Sequence, residues 1–330
     1  MLWKIISALE TGLAQGAMIA LVALGYTMVY GILKLINFAH SEIFMMGAYA
    51  GLFFITALGG ERAPLLAGVV GTLAAMLLTG GLGVLVERIA YAPLRGDAES
   101  PPLVLRILGW FAGGFFYVLR LLTRVARVAK HRDGKSANSR ISPLVTALGM
   151  SVLLQNLAQL FFTAQYRGYP RLLPIEHTRK VIFVTAVTVM IGLQLLVHRT
   201  WTGKAMRALS MNMEAARLMG VRTGRIIGLT FATGSMLAAV GAVLYCLDQS
   251  QVYPTMGVTI GTRAFVAAVI GGIGNIPGAM LGGVLIGIIG ELTKLTPYSG
   301  LQDVLVFTVL IGVLLVKPTG LLGKAGIEKV

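Results

Sequence analysis

Long runs of apolar residues, separated by short polar stretches, make up most of the chain. Most runs approach or exceed the roughly 18 residues that mark a helix able to cross a membrane. They cover residues 12–33, 43–58, 64–86, 142–163, 181–197, 226–247 and 301–316. Only helices and closed barrels satisfy their backbone polar groups in lipid, and continuous runs are not typical of barrel strands. The pattern therefore predicts an all-α fold, a polytopic transmembrane helix bundle.

A further apolar stretch, residues 263–292, is interrupted by the glycine-rich sequence GGIGNIP at 271–277. Irregular backbone at membrane depth is tolerated only where protein or a water-filled cavity surrounds it. We expect a broken or re-entrant element here, either one kinked helix or two shorter ones. With the other runs this gives about eight to nine membrane segments in a single transmembrane domain over residues 1–330.

Several glycines recur four residues apart, the small-xxx-small spacing that lets helix backbones approach closely in a membrane. The pairs are Gly47 and Gly51, Gly224 and Gly228, Gly278 and Gly282, and Gly283 and Gly287. We expect tight helix packing at each of them.

Composition supports a membrane class. Charged residues make up 12% of the chain, half of the roughly 25% that soluble domains carry. The net charge of +15 falls mostly in the loops that we assign to the cytoplasm. We therefore interpret it as topology and contact with anionic membrane lipid, not nucleic-acid binding. The single cysteine, Cys246, lies in an apolar run and is expected to be a small buried side chain.

Residues 96–140 depart from this rhythm. The window 103–122 is apolar, but Arg106 and Arg120 lie inside it, and an arginine at depth costs at least ~2.5 kcal/mol. Spanning would also carry the basic stretch 124–135 to the outer side, against the preference of Lys and Arg for the cytoplasm. We expect a basic cytoplasmic or interfacial insertion, an amphipathic or shallow re-entrant element.

The longest clearly polar piece between two apolar runs is residues 198–225, HRTWTGKAMRALSMNMEAARLMGVRTGR. It carries six Lys and Arg residues against one acid, Glu214. Short basic loops stay in the cytoplasm. We expect residues 198–225 to lie in the cytoplasm as well. The basic C-terminal tail then also lies in the cytoplasm only if residues 263–292 cross the membrane twice or partly re-enter it.

Catalytic signatures are nearly absent: the chain has no HExxH and no GxSxG. The nearest imitation of a phosphate-binding loop, at Gly134-Lys135-Ser136, has Ala129 where the first glycine belongs. We therefore expect no catalytic residue, no metal site, no cofactor and no ATPase site in this chain. An intramembrane enzyme is improbable on these grounds. An ion-coupled secondary transporter stays open through Glu42 and Glu291, which lie near the ends of spans.

Six blocks of sequence, in family order, cover nearly the whole chain except residues 96–140. They are GLAQGAMIALVALGYTMVYGILKLINFAHSEIFMMGAYAG at 12–51, ERIAYAPLR at 87–95, SPLVTALGMSVLLQN at 142–156, RALSMNMEAARLMGVRTGRIIGLTF at 207–231, FVAAVIGGIGNIPGAMLGG at 265–283 and VLLVKPTGLLG at 313–323. Together they resemble the branched-chain amino acid ABC transporter permeases of the LivH type. The insertion at 96–140 is longer than that family leads us to expect.

The resemblance implies a half-transporter of the inner membrane. Its expected partners are a second, LivM-type permease, two ABC ATPase subunits that bind ATP, and a periplasmic substrate-binding protein. The triplet Glu214-Ala215-Ala216, followed by Gly220, resembles the short helix in the EAA loop of importer permeases that docks on the ATPase. We therefore predict 198–225 as the cytoplasmic coupling loop.

Polar residues in or beside the spans are candidates for the translocation path, although interhelical hydrogen bonding is the plainer explanation of each. They are Thr27, Asn37, Gln155, Asn156 and Asn275. The expected function is import of leucine, isoleucine and valine by alternating access. A related importer for urea, amides or other amino acids is the alternative within the class. We expect no dedicated high-affinity pocket, because periplasmic proteins supply most of the specificity in importers of this kind.

Overall fold

The computed structural model describes residues 2–92, 141–172, 174–297 and 299–323. These residues form eleven α-helices and one two-stranded β ladder. In chain order the elements are α1 (Leu2–Leu33), α2 (His40–Ala57), α3 (Pro64–Val86), α4 (Ile141–Phe162), β1 (Arg167–Gly168), α5 (Ile175–Arg199), α6 (Trp201–Met211), α7 (Met213–Leu218), α8 (Thr223–Gln249), β2 (Gln251–Val252), α9 (Met256–Gly271), α10 (Ile276–Thr293) and α11 (Gln302–Val316). A 3₁₀ turn, Gly60–Arg62, precedes α3, a π-helical stretch, Glu87–Tyr91, continues it, and a second 3₁₀ turn, Ser299–Leu301, precedes α11.

Seven of the described helices are long and apolar enough to cross a membrane. These candidate spans correspond to α1, α3, α4, α5, α8, α10 and α11. Two further helices, α2 and the shorter apolar α9, pack among them. The predicted all-α polytopic bundle is confirmed.

The centre of the bundle is built from α1, α8 and α10, and α1 packs extensively on both partners. Small residues make this contact close. A Cβ on Gly16 of α1 would lie 2.7 Å from the Cα of Val284, and one on Gly12 would lie 2.9 Å from the Cα of Ile288. Lipid offers little hydrophobic drive for helix association, so such backbone proximity is what holds membrane helices together.

Three of the four glycine pairs form the predicted close contacts. Gly47 and Gly51 of α2 pack against α8, the pair at 278 and 282 packs against α9, and the pair at 283 and 287 packs against α1. The fourth prediction is wrong at Gly224, which has no neighbour within 4 Å among the described residues. Gly224 lies in the first turn of α8, where the chain emerges from the bundle.

The predicted break in residues 263–292 is confirmed, and it separates two antiparallel helices. Gly272 adopts a left-handed backbone with φ of +101°, and Asn275 caps α10 by accepting a hydrogen bond from the Gly278 N–H at 3.3 Å. The C-terminal segment closes the break, because the Leu321 and Leu322 N–H groups donate to the carbonyls of residues 270 and 271. The carbonyl groups at the end of α9 are thus satisfied.

The helix contacts fix which connections share an end of the bundle. Gly25 of α1 packs against Gly234 of α8, Gly31 lies near Gly274, and Gly272 packs against Gly323. The end of α1, the start of α8, the break and the C-terminal segment therefore lie together. We call this the basic end, because residues 198–225 also lie there. The β ladder lies at the opposite end, where α8 ends.

Two predictions about connections need correction. The apolar runs leave residues 34–42 between them as a short polar connector, but α2 already begins at His40, and Asn37 and Glu42 are buried. Each has a side-chain partner on another element: the Tyr91 hydroxyl donates to Asn37, and the Ser151 hydroxyl donates to Glu42. The helices α5, α8 and α9 also extend past the apolar runs, so the connections that the runs leave at 164–180 and 248–262 are shorter. The insertion expected at 96–140 lies outside the described residues and stays a prediction.

Candidate functional site

The polar stretch at the basic end folds into two short helices, α6 and α7, which we call the two-helix segment. Thr200 caps α6, where its Oγ1 accepts from the Gly203 N–H at 3.1 Å. Asn212 caps α7, where its Oδ1 accepts from the Ala215 N–H at 3.0 Å. Capping side chains of this type stabilise a helix start by about 1 kcal/mol. The sequence therefore sets both starts locally.

The end of α7 is equally well defined. Gly220 has φ of +83°, its N–H donates to the Arg217 carbonyl, and the Val221 N–H donates to the Ala216 carbonyl, both at 3.0 Å. This pairing is the Schellman motif, in which a left-handed glycine closes a helix. Gly220 is therefore the residue just beyond the helix that allows α7 to end sharply.

One face of the two-helix segment is fixed to the bundle. Met206, Leu209 and Ala216 are buried and join the main hydrophobic core. The segment contacts α5, α8 and α1. A force applied to these two short helices would therefore reach the central helices directly.

The other face points away from the protein and is partly apolar. Leu218 is 89% exposed and Met219 is 85% exposed. Met211 and Trp201 are also exposed, as are Glu214 and Ala215. Exposed apolar side chains rimmed by charges mark protein interaction surfaces. Sequence reasoning singled out Glu214, Ala215, Ala216 and Gly220 but missed the apolar residues beside them. Their presence in a stretch rich in charge was the available signal.

Two of the five path candidates lie in the interior. Thr27 is buried in α1, and its Oγ1 has no hydrogen-bond partner among the described residues. Asn37 is buried too, and its Oδ1 accepts from the Ala39 N–H at 3.1 Å and from the Tyr91 hydroxyl at 2.9 Å. Asn37 thus holds the connector between α1 and α2 to the end of α3.

The other three candidates lie on the surface or at the break. Asn156 is exposed on α4 and donates to the Val152 carbonyl at 2.7 Å, and Gln155 beside it is half-buried. Asn275 Nδ2 donates to the Leu322 carbonyl at 2.6 Å while its Oδ1 caps α10. Asn275 therefore joins three segments at the basic end. The described geometry does not bring the five residues together.

A buried polar cluster lies at the start of α2, and it includes Glu42, which sequence reasoning singled out, and His40, which it did not. The His40 ring meets the Tyr26 ring edge-on, with centroids 4.8 Å apart. Glu42 is 0% exposed, and its Oε1 lies 3.5 Å from the Ser151 Oγ of α4. Among the described residues no three His, Cys, Asp or Glu side chains are placed to hold a metal ion. The cluster packs α1, α2 and α4 together.

The opposite end contains a cavity of about 90 Å³. Five helices or helix ends contribute its walls: α1, α2, α8, α9 and the turn after α10. The side chains that line it are Gln15, Met18, Ile19, Phe44, Tyr245, Gln249, Ile260, Arg263 and Lys294.

Taken together, the bundle and its anchored two-helix segment define a multi-pass helical membrane protein with an interaction surface at one end. The family described as branched-chain amino acid transport system / permease component matches residues 8–314. The chain belongs to this family.

Curated relatives match over nearly their full length. The chain is 36% identical to the high-affinity branched-chain amino acid transport system permease protein BraD of Pseudomonas aeruginosa, over 100% of this chain and 99% of that protein. It is 34% identical to LivH of Escherichia coli K12 and 33% identical to LivH of Salmonella typhimurium, each over 97% of this chain and 96% of the relative. No solved structure matches the chain.

Proposed function

We propose that this chain is the transmembrane permease subunit of an ATP-binding-cassette importer that moves leucine, isoleucine and valine into the cell. Separate ATPase subunits bind ATP and drive the movement. It lies in the inner (plasma) membrane as a multi-pass protein. The similarity to BraD and LivH, which are permease proteins of high-affinity branched-chain amino acid transport systems, supports the substrate class.

The observation that carries the proposal is the two-helix segment. It is anchored on its inner face by residues of the core and presents Leu218, Met219 and Glu214 outward. Such an arrangement suits a coupling element that is fixed to the permease on one face and contacts the ATPase on the other. The ATPase would seat α7, and its closure on ATP would move α5 and α8 through their contacts with α6.

The proposed partners follow from the same arrangement. The helices at the edge of the bundle, such as α11 and α4, leave most of their surface uncovered. A second, LivM-type permease would cover part of this surface and complete the substrate path. A periplasmic binding protein would deliver the amino acid at the opposite end. Alternating access would then be a rocking of the two permeases about the path between them.

The test is ATP-dependent uptake in proteoliposomes that hold this chain with its partner permease and ATPases. Binding protein is added on the outside, and uptake of leucine, isoleucine and valine is compared with uptake of urea. We expect saturable uptake of the three amino acids that requires ATP and the binding protein.

Each alternative has its own result in this assay. Uptake of urea or amides in preference to leucine would identify a related importer. Uptake driven by an ion gradient without ATP would identify a secondary transporter. Either outcome would overturn the proposal.

A further inference from the structure

The cavity at the opposite end has an unusual distribution of charge. Arg263 and Lys294 both line it, while no acidic side chain of the described residues does. The charged groups on its wall are therefore both cationic. An anionic group on a ligand would find two cations within one small space.

Both cations are held in place by acids that lie outside the cavity wall. Arg263 Nε and Nη2 bind Asp303 Oδ1 of α11 at 2.9 Å and 2.8 Å, and Lys294 Nζ pairs with Glu291. The Asp303 pair uses one edge of the guanidinium. A guanidinium has five N–H donors in a rigid fork, so its second edge can bind a carboxylate in a bidentate manner.

The rest of the lining is divided between amides and apolar groups. Gln15 and Gln249 contribute amides, while Met18, Ile19 and Phe44 form an apolar wall. A ligand that fits has a carboxylate at one end and a short aliphatic body. An α-amino acid with a branched aliphatic side chain has both.

We propose that this cavity is an entry subsite for the transported amino acid, in which Arg263 and Lys294 receive the α-carboxylate and Met18, Ile19 and Phe44 contact the aliphatic side chain. This inference rests on the proposed function and adds the residues that meet the substrate first. The subsite lies at the end away from the two-helix segment, where a binding protein would release its ligand.

The size of the cavity sets the expected strength of binding. At about 90 Å³ it is far smaller than the several hundred Å³ of pockets that enclose drug-sized ligands. Release into it must also be followed by onward movement. A weak subsite, with a dissociation constant on the order of millimolar, suits both demands.

The first experiment compares Arg263→Gln with the native chain in the proteoliposome uptake assay. Loss of a charge-assisted hydrogen bond pair predicts an apparent KM for leucine about tenfold higher or more. Arg171→Gln is the matched control, because Arg171 is an exposed arginine at the same end that does not line the cavity. An unchanged KM in Arg263→Gln would overturn the proposal.

A second variant separates substrate contact from structural support. Arg263→Asp combined with Asp303→Arg keeps the ion pair but moves the cation out of the cavity wall. If the pair only stabilises α9 against α11, this double variant restores the native KM and the proposal fails. We expect it to keep the raised KM of Arg263→Gln at native protein yield.

Direct binding is measured by saturation-transfer NMR on the assembled permease–ATPase complex in nanodiscs, without binding protein. Leucine at millimolar concentration should show transfer to its methyl groups in the native complex and in Arg171→Gln, and lose it in Arg263→Gln. Leucinamide, which lacks the carboxylate, should show none. If a lipid phosphate occupies the two cations instead, leucine gives no transfer and the proposal is overturned. If the native complex transports none of the three amino acids, the proposed function itself has failed.

Discussion

Two polar stretches of this chain look alike in sequence and have opposite fates in the structure. Residues 37–42 and 212–214 each begin with an asparagine that accepts a backbone N–H just ahead, and each ends in a glutamate in the first turn of a helix. Glu42 is fully buried between α2 and α4, whereas Glu214 is exposed at the basic end.

The difference shows that local capping and membrane position are separate properties. Asn37 and Asn212 cap similar local turns, but among the described residues only Asn37 has a distant partner, the Tyr91 hydroxyl, which holds it inside the bundle. Buried polar groups can hold helices together through hydrogen bonds, whereas exposed polar groups are free to bind another protein. The same substitution, glutamate to lysine, should therefore prevent folding at Glu42 and weaken binding of the ATPase at Glu214.

The largest effect is expected for Glu42→Lys. It places a longer, positively charged side chain in a fully buried site, and the cost is on the order of 3–5 kcal/mol. We expect little folded protein, measured as the monodisperse fraction on size-exclusion after membrane extraction. Glu42→Gln keeps the shape and an acceptor for Ser151, so it should fold. Native yield of Glu42→Lys would show that this region is not the packed cluster described above.

Glu214→Lys should leave folding intact and abolish partnership. Reversing a charge at a docked site costs at least about 2 kcal/mol, so ATPase affinity should fall more than about thirtyfold. The measurement is co-purification of the ATPases with tagged permease. Glu10→Lys, the same change at an exposed residue near the opposite end of α1, is the control. Normal ATPase recovery with Glu214→Lys would remove Glu214 from the coupling surface.

Leu218→Ser tests the apolar part of the same surface. Leu218 is 89% exposed in this chain, so its loss removes almost no packing from the isolated protein. Burial of a leucine in an interface is worth roughly 1.5 kcal/mol or more, which predicts about a tenfold loss of ATPase affinity. Leu65→Ser, at an equally exposed leucine at the start of α3, should have no effect on that affinity. Equal behaviour of the two variants would contradict a docking role for Leu218.

The smallest effect is expected for Gly220→Ala. The left-handed backbone at φ of +83° costs a residue with a Cβ about 1 kcal/mol, although no neighbour would clash with it. The end of α7 should fray, and ATPase affinity should fall about fivefold. Gly224→Ala is a close control, since Gly224 lies in α8 with no neighbour within 4 Å. A loss of affinity as large with Gly224→Ala would assign the effect to the added methyl group and not to the backbone.

Much of the fold could be predicted from sequence because its causes are local. Pro64 stands at the start of α3 as expected, and the glycine-rich interruption at 271–277 does separate two helices. The start of α7 at Asn212 and its end at Gly220 likewise depend on side chains and backbone within a few residues. Apolar runs longer than a membrane is thick leave few alternatives.

What the sequence could not supply depends on distant partners. The burial of Asn37 requires Tyr91, and the burial of Glu42 beside α4 requires Ser151. The cavity gathers Arg263 of α9 and Lys294 of the turn after α10, with apolar residues of α1 and α2. Contacts between distant parts of the chain leave no mark in the hydrophobic pattern, which shows only that these residues lie in or beside the spans.

The C-terminal segment has a practical bearing on how this protein is handled. The backbone N–H groups of Leu321 and Leu322 donate hydrogen bonds to the last carbonyls of α9. The Leu322 carbonyl accepts a hydrogen bond from Asn275 Nδ2. Removing Leu321 and Leu322 would leave the carbonyls of residues 270 and 271 and the Asn275 Nδ2 group without these partners. We expect purification tags and fluorescent fusions to be tolerated beyond Gly323. Cleavage at a site engineered before Gly323 should yield a protein in which the hairpin of α9 and α10 is the first part to unfold on heating.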